Sequence, residues 1–492
     1  MSLTSSSTED KVPSLLLNNS FRDPAGVLFS LKGRIIRIVN SSGFEDLTAF
    51  LNSGVARRLF ETGQVVRSRV FEESEFAQLA AQNGLLSLIQ EGKHQLVLEH
   101  DRIPFPSYPH EWPAEMLQAA GALTIDLAAS LLEDGLCLKD ATPFNILFRG
   151  PVPVFVDLLS FERRDSRDPI WLPYAQFVRT FLLPLLVHKK LRLATHEVFM
   201  SRRDGLEPDD VYPWLHPLQR LSPQSLALVS IPKWLGARKP GNENTIYSRR
   251  LLQDPQKAQF ILKSLFGRLQ KTLKRLGGKQ SRSVWSDYMG SRPSYTPAQF
   301  AAKESFVTSV YQEFSPQQVL DIGCNTGHFS LLASQRGAHV VAIDSDPVVV
   351  GRLWRKARSQ NLELLPLVVN LGWPTPAVGW NNQEFPSFLD RARGHFDFVQ
   401  MLAVIHHLLI SERVPLRQIL RLASDLTSNL LLIEYVDGGD PMFRKLLRGR
   451  DHLHADWDQE CFERECSRIF EIVRNVPVAD SSRRLYLLKK KT

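Results

Sequence analysis

The stretch Val319-Leu-Asp-Ile-Gly-Cys-Asn-Thr-Gly327 constrains this chain more than any other, because an apolar run closes on a carboxylate and a turn holding two glycines. The residues up to Ile322 read as a buried parallel strand. His328 to Arg336 has helical spacing, with Phe329, Leu332 and Ala333 on one face and Gly337 as its stop. His339 to Ile343 is a second strand, ending at Asp344. The unit is β-turn-α-β with an acid at each strand tip, and a ligand would lie across those tips.

The charge at Asp321 narrows the ligand. A dinucleotide fingerprint needs glycine there to bring a pyrophosphate against backbone N–H groups, and a carboxylate repels it. S-adenosyl-L-methionine (SAM) has no phosphate, presents an ammonium and a sulfonium, and keeps a ribose diol that Asp344 can accept hydrogen bonds from. Glycines at 323 and 327 admit a close backbone approach. This D-x-G-x-x-x-G, with an acid 17 residues after its last glycine, resembles motif I and the second-strand acid of class I SAM-dependent methyltransferases. The resemblance implies a Rossmann-like α/β sheet of seven strands and SAM as cofactor, held by Asp321, Gly323, Asn325, Gly327, Asp344 and Asn370. An ordinary doubly wound domain whose turn merely packs is the competing reading.

The remaining strands of such a sheet are legible in order. A helix from Pro347 to Gln360 leads to Glu363 to Val369, whose tip, Asn370, is placed to read an adenine amino edge. A rigid aromatic insertion, Gly372-Trp-Pro-Thr-Pro-Ala-Val-Gly-Trp380, follows beside the site. Phe396 to Leu402 is a fourth strand and Asn429 to Val436 a fifth, with Glu434 and Asp437 at its tip. Phe470 to Val478 and Arg484 to Lys489 form a closing antiparallel pair. Ile405-His-His-Leu408 resembles the element after the fourth strand in class I enzymes acting on small molecules or RNA. An oxygen acceptor needs a base, and His406 or His407, with an intrinsic pKa of about 6.5, is the candidate. The helix Pro297 to Phe314 leads into the sheet, and the aromatics Trp285, Tyr288 and Tyr295 before it read either as a cover over the cofactor or as packing.

The N-terminal part reads as a small α+β unit. It has a hairpin over Phe29 to Val39, helical spacing from Thr48 to Phe60, strands at Gln64 to Phe71 and Gln95 to His100, and between them a helix capped by Ser74. An amphipathic helix, Pro113 to Glu133, then delivers the chain to Asp140, Asn145 and Asp157. An acid, an amide five residues on and a second acid ending the next strand suit phosphoryl transfer. The segment resembles the catalytic and metal-binding loops of the protein-kinase and aminoglycoside-phosphotransferase fold. It departs from them in having Leu138 where a histidine is usual, no glycine-rich phosphate loop and no phosphate-binding lysine. The resemblance therefore implies a degenerate kinase-like domain.

Gln256 to Leu276 reads as a basic amphipathic helix with lysine or arginine at 257, 263, 268, 271, 274 and 275, a pattern open to a polyanion or to solvent. The divisions expected are a disordered 1–20, an accessory domain 21–276, a linker 277–284 and a methyltransferase domain 285–492. A net charge of +8 permits nucleic acid as a partner, yet there is no zinc-finger spacing and no RNP-like strand. No metal site is expected from Cys137, Cys324, Cys461 and Cys466, which lack CxxC pairing, and a reduced, cytoplasmic setting is. The longest apolar stretch, Phe181 to Val187, is too short to span a bilayer. A methyltransferase with an unidentified acceptor is the leading reading; a phosphotransferase in the N-terminal half and a SAM-binding regulator without turnover stay open, as does the oligomeric state.

Overall fold

Five apolar runs pair in parallel because each is buried on both faces, Leu364–Val368 along its whole length. The computed structural model describes residues 21–83, 94–236, 251–277, 283, 295–449, 452 and 456–491. Expectations for residues 1–20, for most of the linker and for Trp285 and Tyr288 fall outside them.

The N-terminal region begins with a four-stranded antiparallel sheet in the order β1-β2-β4-β3, from β1 (Gly26–Leu31), β2 (Arg34–Asn40), β3 (Ser68–Val70) and β4 (His94–His100). Two short pairs follow, β5 (Leu136–Leu138) with β8 (Phe161–Arg163) and β6 (Ile146–Arg149) with β7 (Val152–Phe155). The rest of this region is mainly helical up to Leu276. The arrangement, a small sheet followed by a helix-rich part with short strand pairs, resembles a kinase-like fold.

The C-terminal sheet has seven strands: β9 (Gln318–Ile322), β10 (His339–Asp344), β11 (Leu364–Val368), β12 (Phe396–Met401), β13 (Thr427–Val436), β14 (Phe470–Pro477) and β15 (Arg483–Lys490). Their order is β11-β10-β9-β12-β13-β15-β14. Strands β9 to β13 run parallel, and β15 is antiparallel to both β13 and β14. This is the mixed sheet expected for a class I methyltransferase. Ile322 sits opposite both Ile343 and Met401, so β9, β10 and β12 end level and the chain turns out of all three on one edge.

Several local readings need correction. Residues 48–60 are not one helix: Ser41–Leu51 and Gly54–Glu61 are separate, because the Ser53 hydroxyl accepts from Ala56 N at 3.1 Å and starts a new helix. Ser74 is inside Glu73–Asn83 rather than capping it. The helix Ala114–Leu131 is buried around most of its circumference, not amphipathic. With the turn to Asp134 it is the one described helix long and apolar enough to cross a membrane, which the length of unbroken apolar runs does not reveal, and it lies inside the protein. It is covered by Pro255–Leu276, whose Leu262, Phe266, Leu269 and Leu273 form a buried stripe while its six basic residues face solvent. The two helices approach closely at Gly121, where a Cβ would meet Phe181 at 3.1 Å and Leu273 at 3.3 Å.

One cluster of buried apolar side chains runs from Leu47 and Phe50 through Phe105 to Phe396 and Ile433, joining the two regions. Within it the Arg391 guanidinium forms an ion pair with Glu111, both nearly dry, and donates to Pro106 O at 2.6 Å. Its flat face lies 5.1 Å from the Phe105 ring centre and 5.2 Å from that of Tyr108. Arg391→Ala would strand the Glu111 charge in this contact, and a loss on the order of 3–5 kcal/mol is expected in urea unfolding. Glu111→Gln combined with Arg391→Met should cost far less, and both regions should unfold in one transition.

Candidate functional site

At the level ends of β9 to β12 the protein encloses a cavity of about 280 Å³ lined by Asp321, Gly323, Cys324, Asn325, Asp344, Asn370, His406 and His407 among others. The turn after β9 folds over β10 because Gly323 N and Cys324 N both donate to Ile343 O, at 2.9 and 3.0 Å. Gly323 has φ +72°, and a Cβ there would meet Val404 Cγ2 at 2.3 Å. Its smallness therefore serves the opposite wall of the cavity as well as the turn. Gly327 is not in the lining. A Cβ on it would strike Leu353 at 2.1 Å, so it packs the following helix against Pro347–Ser359.

The two acids differ in what holds them. Asp321 is buried on β9, takes a hydrogen bond from the Ser330 hydroxyl, and is pushed up to about 6 by burial, which outweighs that bond and the Gln400 amide beside it. Asp344 accepts from Asn325 N at 2.9 Å through Oδ2 and from Asp346 N at 3.0 Å through Oδ1. A backbone hydrogen bond from Ser345 also reaches this carboxylate, which still has capacity to accept another, and burial raises this group too. Asn370 lies two residues beyond β11, and its Oδ1 accepts from Gly372 N at 2.9 Å.

Across the cavity the chain leaves β12 through Ala403, at φ +58°, and presents two imidazoles with ring centres 4.3 Å apart. The premise of a near-neutral base fails for His406. Burial, His407 and Arg483 hold its pKa down to about 3, and its Nδ1 is buried without a hydrogen-bond partner. His407 is less buried and is also lowered, by burial and by Arg483.

A neighbouring buried network was not foreseen. Lys303 Nζ lies 2.5 Å from Glu434 Oε2, Arg483 clasps Asp440 at 2.8 and 3.2 Å, and the Tyr295 hydroxyl is held by Glu434 and by Arg483 at 2.6 Å. Burial alone would raise Glu434, yet Lys303 and Arg483 prevail and take it down to about 2. Glu434 thus lies within β13, fully buried, and not at a free tip. Burial lowers Lys303 despite its partner. A lysine on the same helical face as Phe300, Phe306, Val307 and Val310 was the sequence signal for it.

In the N-terminal region Asp140, Asn145 and Asp157 do come near one another, but with other partners. Asp157 Oδ1 is 3.2 Å from Arg37 Nη1 and its Oδ2 accepts from Ser160 Oγ at 2.6 Å, while Asn145 Nδ2 donates to the same Ser160 at 3.0 Å. Arg37 comes from β2 and also reaches Asp23 at 3.2 Å. A strand does supply a cation here, as arginine rather than lysine. Asp140 is raised by burial and by Asp157 against the pull of Gln176 and Lys139. Among the described residues no three His, Cys, Asp or Glu side chains converge to hold a metal.

The family described as "Methyltransferase domain" matches residues 264–472. The C-terminal region has a class I methyltransferase fold. The nodulation protein NoeA of Rhizobium meliloti is 29% identical over 477 residues, 96% of this chain and 95% of its own. The 23S rRNA (uracil(1939)-C(5))-methyltransferase RlmD of Methylococcus capsulatus is 25% identical over 171 residues, 30% of this chain and 39% of its own. Among solved structures, the bifunctional kinase-methyltransferase WbdD is similar at 19% identity and TM-score 0.30, over 41% of each chain. The N-methyltransferase NodS of Bradyrhizobium japonicum WM9 is similar at 13% identity and TM-score 0.30, over 41% of this chain and 92% of its own.

The cavity chemistry suits SAM better than a dinucleotide. Asp321 and Asp344 both line it, and its one lysine, Lys303, is already paired with Glu434. A cationic ligand favours the ionised form of Asp321, whereas protonation below pH 6 removes that charge. SAM affinity measured by calorimetry should therefore fall by up to about tenfold between pH 7 and pH 5. Asp321→Asn should bind weakly with a flatter profile, and any slope that remains belongs to Asp344, which is shifted in the same direction.

Proposed function

We propose that this protein transfers a methyl group from SAM to an oxygen of a small molecule, glycan or RNA acceptor. The observation that carries the reading is the cavity at the level ends of β9 to β12, with the two acids on one wall and the two histidines on the other. SAM supplies a methyl group on an already activated sulfonium. What remains for the chain is to hold two molecules in line and to accept a proton. Asp321 and Asp344 answer the positive charge and the ribose hydroxyls, Gly323 and Asn325 shape the turn, and Asn370 faces the adenine end. Gly327 acts by packing. His407 is the better proton acceptor, because His406 is held so far down that it binds a proton poorly near neutral pH.

In this reading residues 285–492 are the catalytic domain and 21–276 an accessory domain, and four unpaired cysteines suit a reduced, cytoplasmic setting. Incubating the protein with methyl-labelled SAM and cell extract tests the reaction, and calorimetry against SAM and NAD tests the cofactor. SAM should bind in the micromolar range, about −8 kcal/mol, and Asp344→Ala should weaken it. Unchanged affinity in that folded variant, or a preference for NAD, sinks the reading. With an acceptor in hand, His407→Ala should lower turnover roughly 100-fold while SAM affinity stays within a factor of two or so. His406→Ala should cost less.

The N-terminal acids are read as a degenerate site, since Arg37 and Ser160 engage the Asp157 carboxylate that would otherwise hold metal. ATP hydrolysis and phosphotransfer assayed with magnesium or manganese should be absent in the wild type. Turnover abolished by Asp157→Ala would overturn this and make the protein bifunctional.

A further inference from the structure

The insertion between β11 and β12 shows solvent a surface that the reaction above does not use. Trp373 is 83% exposed and Trp380 69%, the two most exposed tryptophans among those described. Two indoles this bare, seven residues apart in one insertion, are available to a partner. Beside Trp380, Asn381, Asn382 and Gln383 are exposed as well.

The segment that carries them is built to stay put. Trp373 N donates to Asn370 O at 3.0 Å, and Val378 and Phe385 exchange hydrogen bonds at 3.0 Å. Gly379, at φ +91°, lies so close to Glu384 that a Cβ would come within 2.4 Å of it. Glu384 is buried, accepts from Trp380 N at 3.1 Å, and is held by Arg22 at 2.7 Å and Arg203 at 3.4 Å. Behind it Phe385 packs on Tyr108 and Phe144, with ring centres 5.0 and 4.9 Å away. The back of the insertion is thus rooted in the N-terminal region while its front is bare. Asn370 and Leu371, three and two residues before Trp373, line the cofactor cavity.

We propose that this front binds an uncharged oligosaccharide and presents it as the methyl acceptor. The inference rests on the methyltransferase reading and names its substrate class. Indole faces stack on the apolar C–H face of a pyranose ring, and primary amides both donate to and accept from hydroxyls. Charge selects against a polyanion. Arg22 and Arg203 are both engaged by Glu384, and Glu412, in the cavity wall, stands against Gly372 within 2.7 Å of where a Cβ would be. A nucleic acid needs a basic track beside its stacking platform, and this insertion carries no lysine or arginine from 371 to 387.

The full chain is titrated with cellohexaose, maltohexaose and chitohexaose, following tryptophan fluorescence and heat, alongside Trp373→Ala, Trp380→Ala and the double variant. At least one sugar should bind, with affinity about tenfold weaker in each single variant and lost in the double, while SAM affinity is unchanged in all three. If no sugar binds, or the double variant binds as the wild type does, the proposal falls. It falls equally if a uridine dodecamer or self-association in ultracentrifugation is what the substitutions abolish, since the surface then belongs to RNA or to a second copy. Sugar binding lost on substitution in a protein that does not bind SAM would keep the sugar surface and discard the methyltransferase reading.

Discussion

A parallel ladder whose strands stop at the same height is the constraint behind everything at the cofactor end of this protein. With Ile322 level with Ile343 and Met401, the next residues of three separate strands must leave the sheet together, and their backbone turns and polar side chains converge without being adjacent in sequence. Strand pairing thus sets the site, and the side chains then give it charge. The glycine at 323 is small for the sake of Val404 on the far wall, so the two walls fit each other before any ligand arrives.

Charge buried elsewhere does a different kind of work. The Glu111 and Arg391 pair joins the two regions, and the Lys303, Glu434, Arg483 and Asp440 network ties the helix before the sheet to its closing strands. Such pairs add little net stability over apolar replacements, but they fix register, because any slip leaves a charge unpaired in a dry place. The second network borders the cavity, and after burial itself its Arg483 helps to hold both histidines below their ordinary values.

How much of this the sequence shows depends on the range of the interaction. The strands were readable because burial on both faces leaves continuous apolar runs, and the turn at Asp321 because its residues are consecutive. The break between Ser41–Leu51 and Gly54–Glu61 has its own mark in Ser53, but the helical pattern runs across it unbroken. The partnerships of Arg37 with Asp157, 120 residues apart, and of Lys303 with Glu434, 131 apart, have no local trace beyond a charge standing in an apolar pattern. The depressed pKa of His406 is of the same kind, being a property of what closes around it rather than of its neighbours in the chain.

The helix Ala114–Leu131 carries a consequence for how the protein is made. It is apolar around most of its surface, and the helix that covers it, Pro255–Leu276, is synthesised much later. At roughly 5–20 residues per second, the nascent chain carries this segment without that helix for on the order of 10–30 s. Throughout that time a helix with the length and hydropathy of a membrane-spanning segment is held only by the strands and helices made between the two, so its last face closes when Pro255–Leu276 arrives.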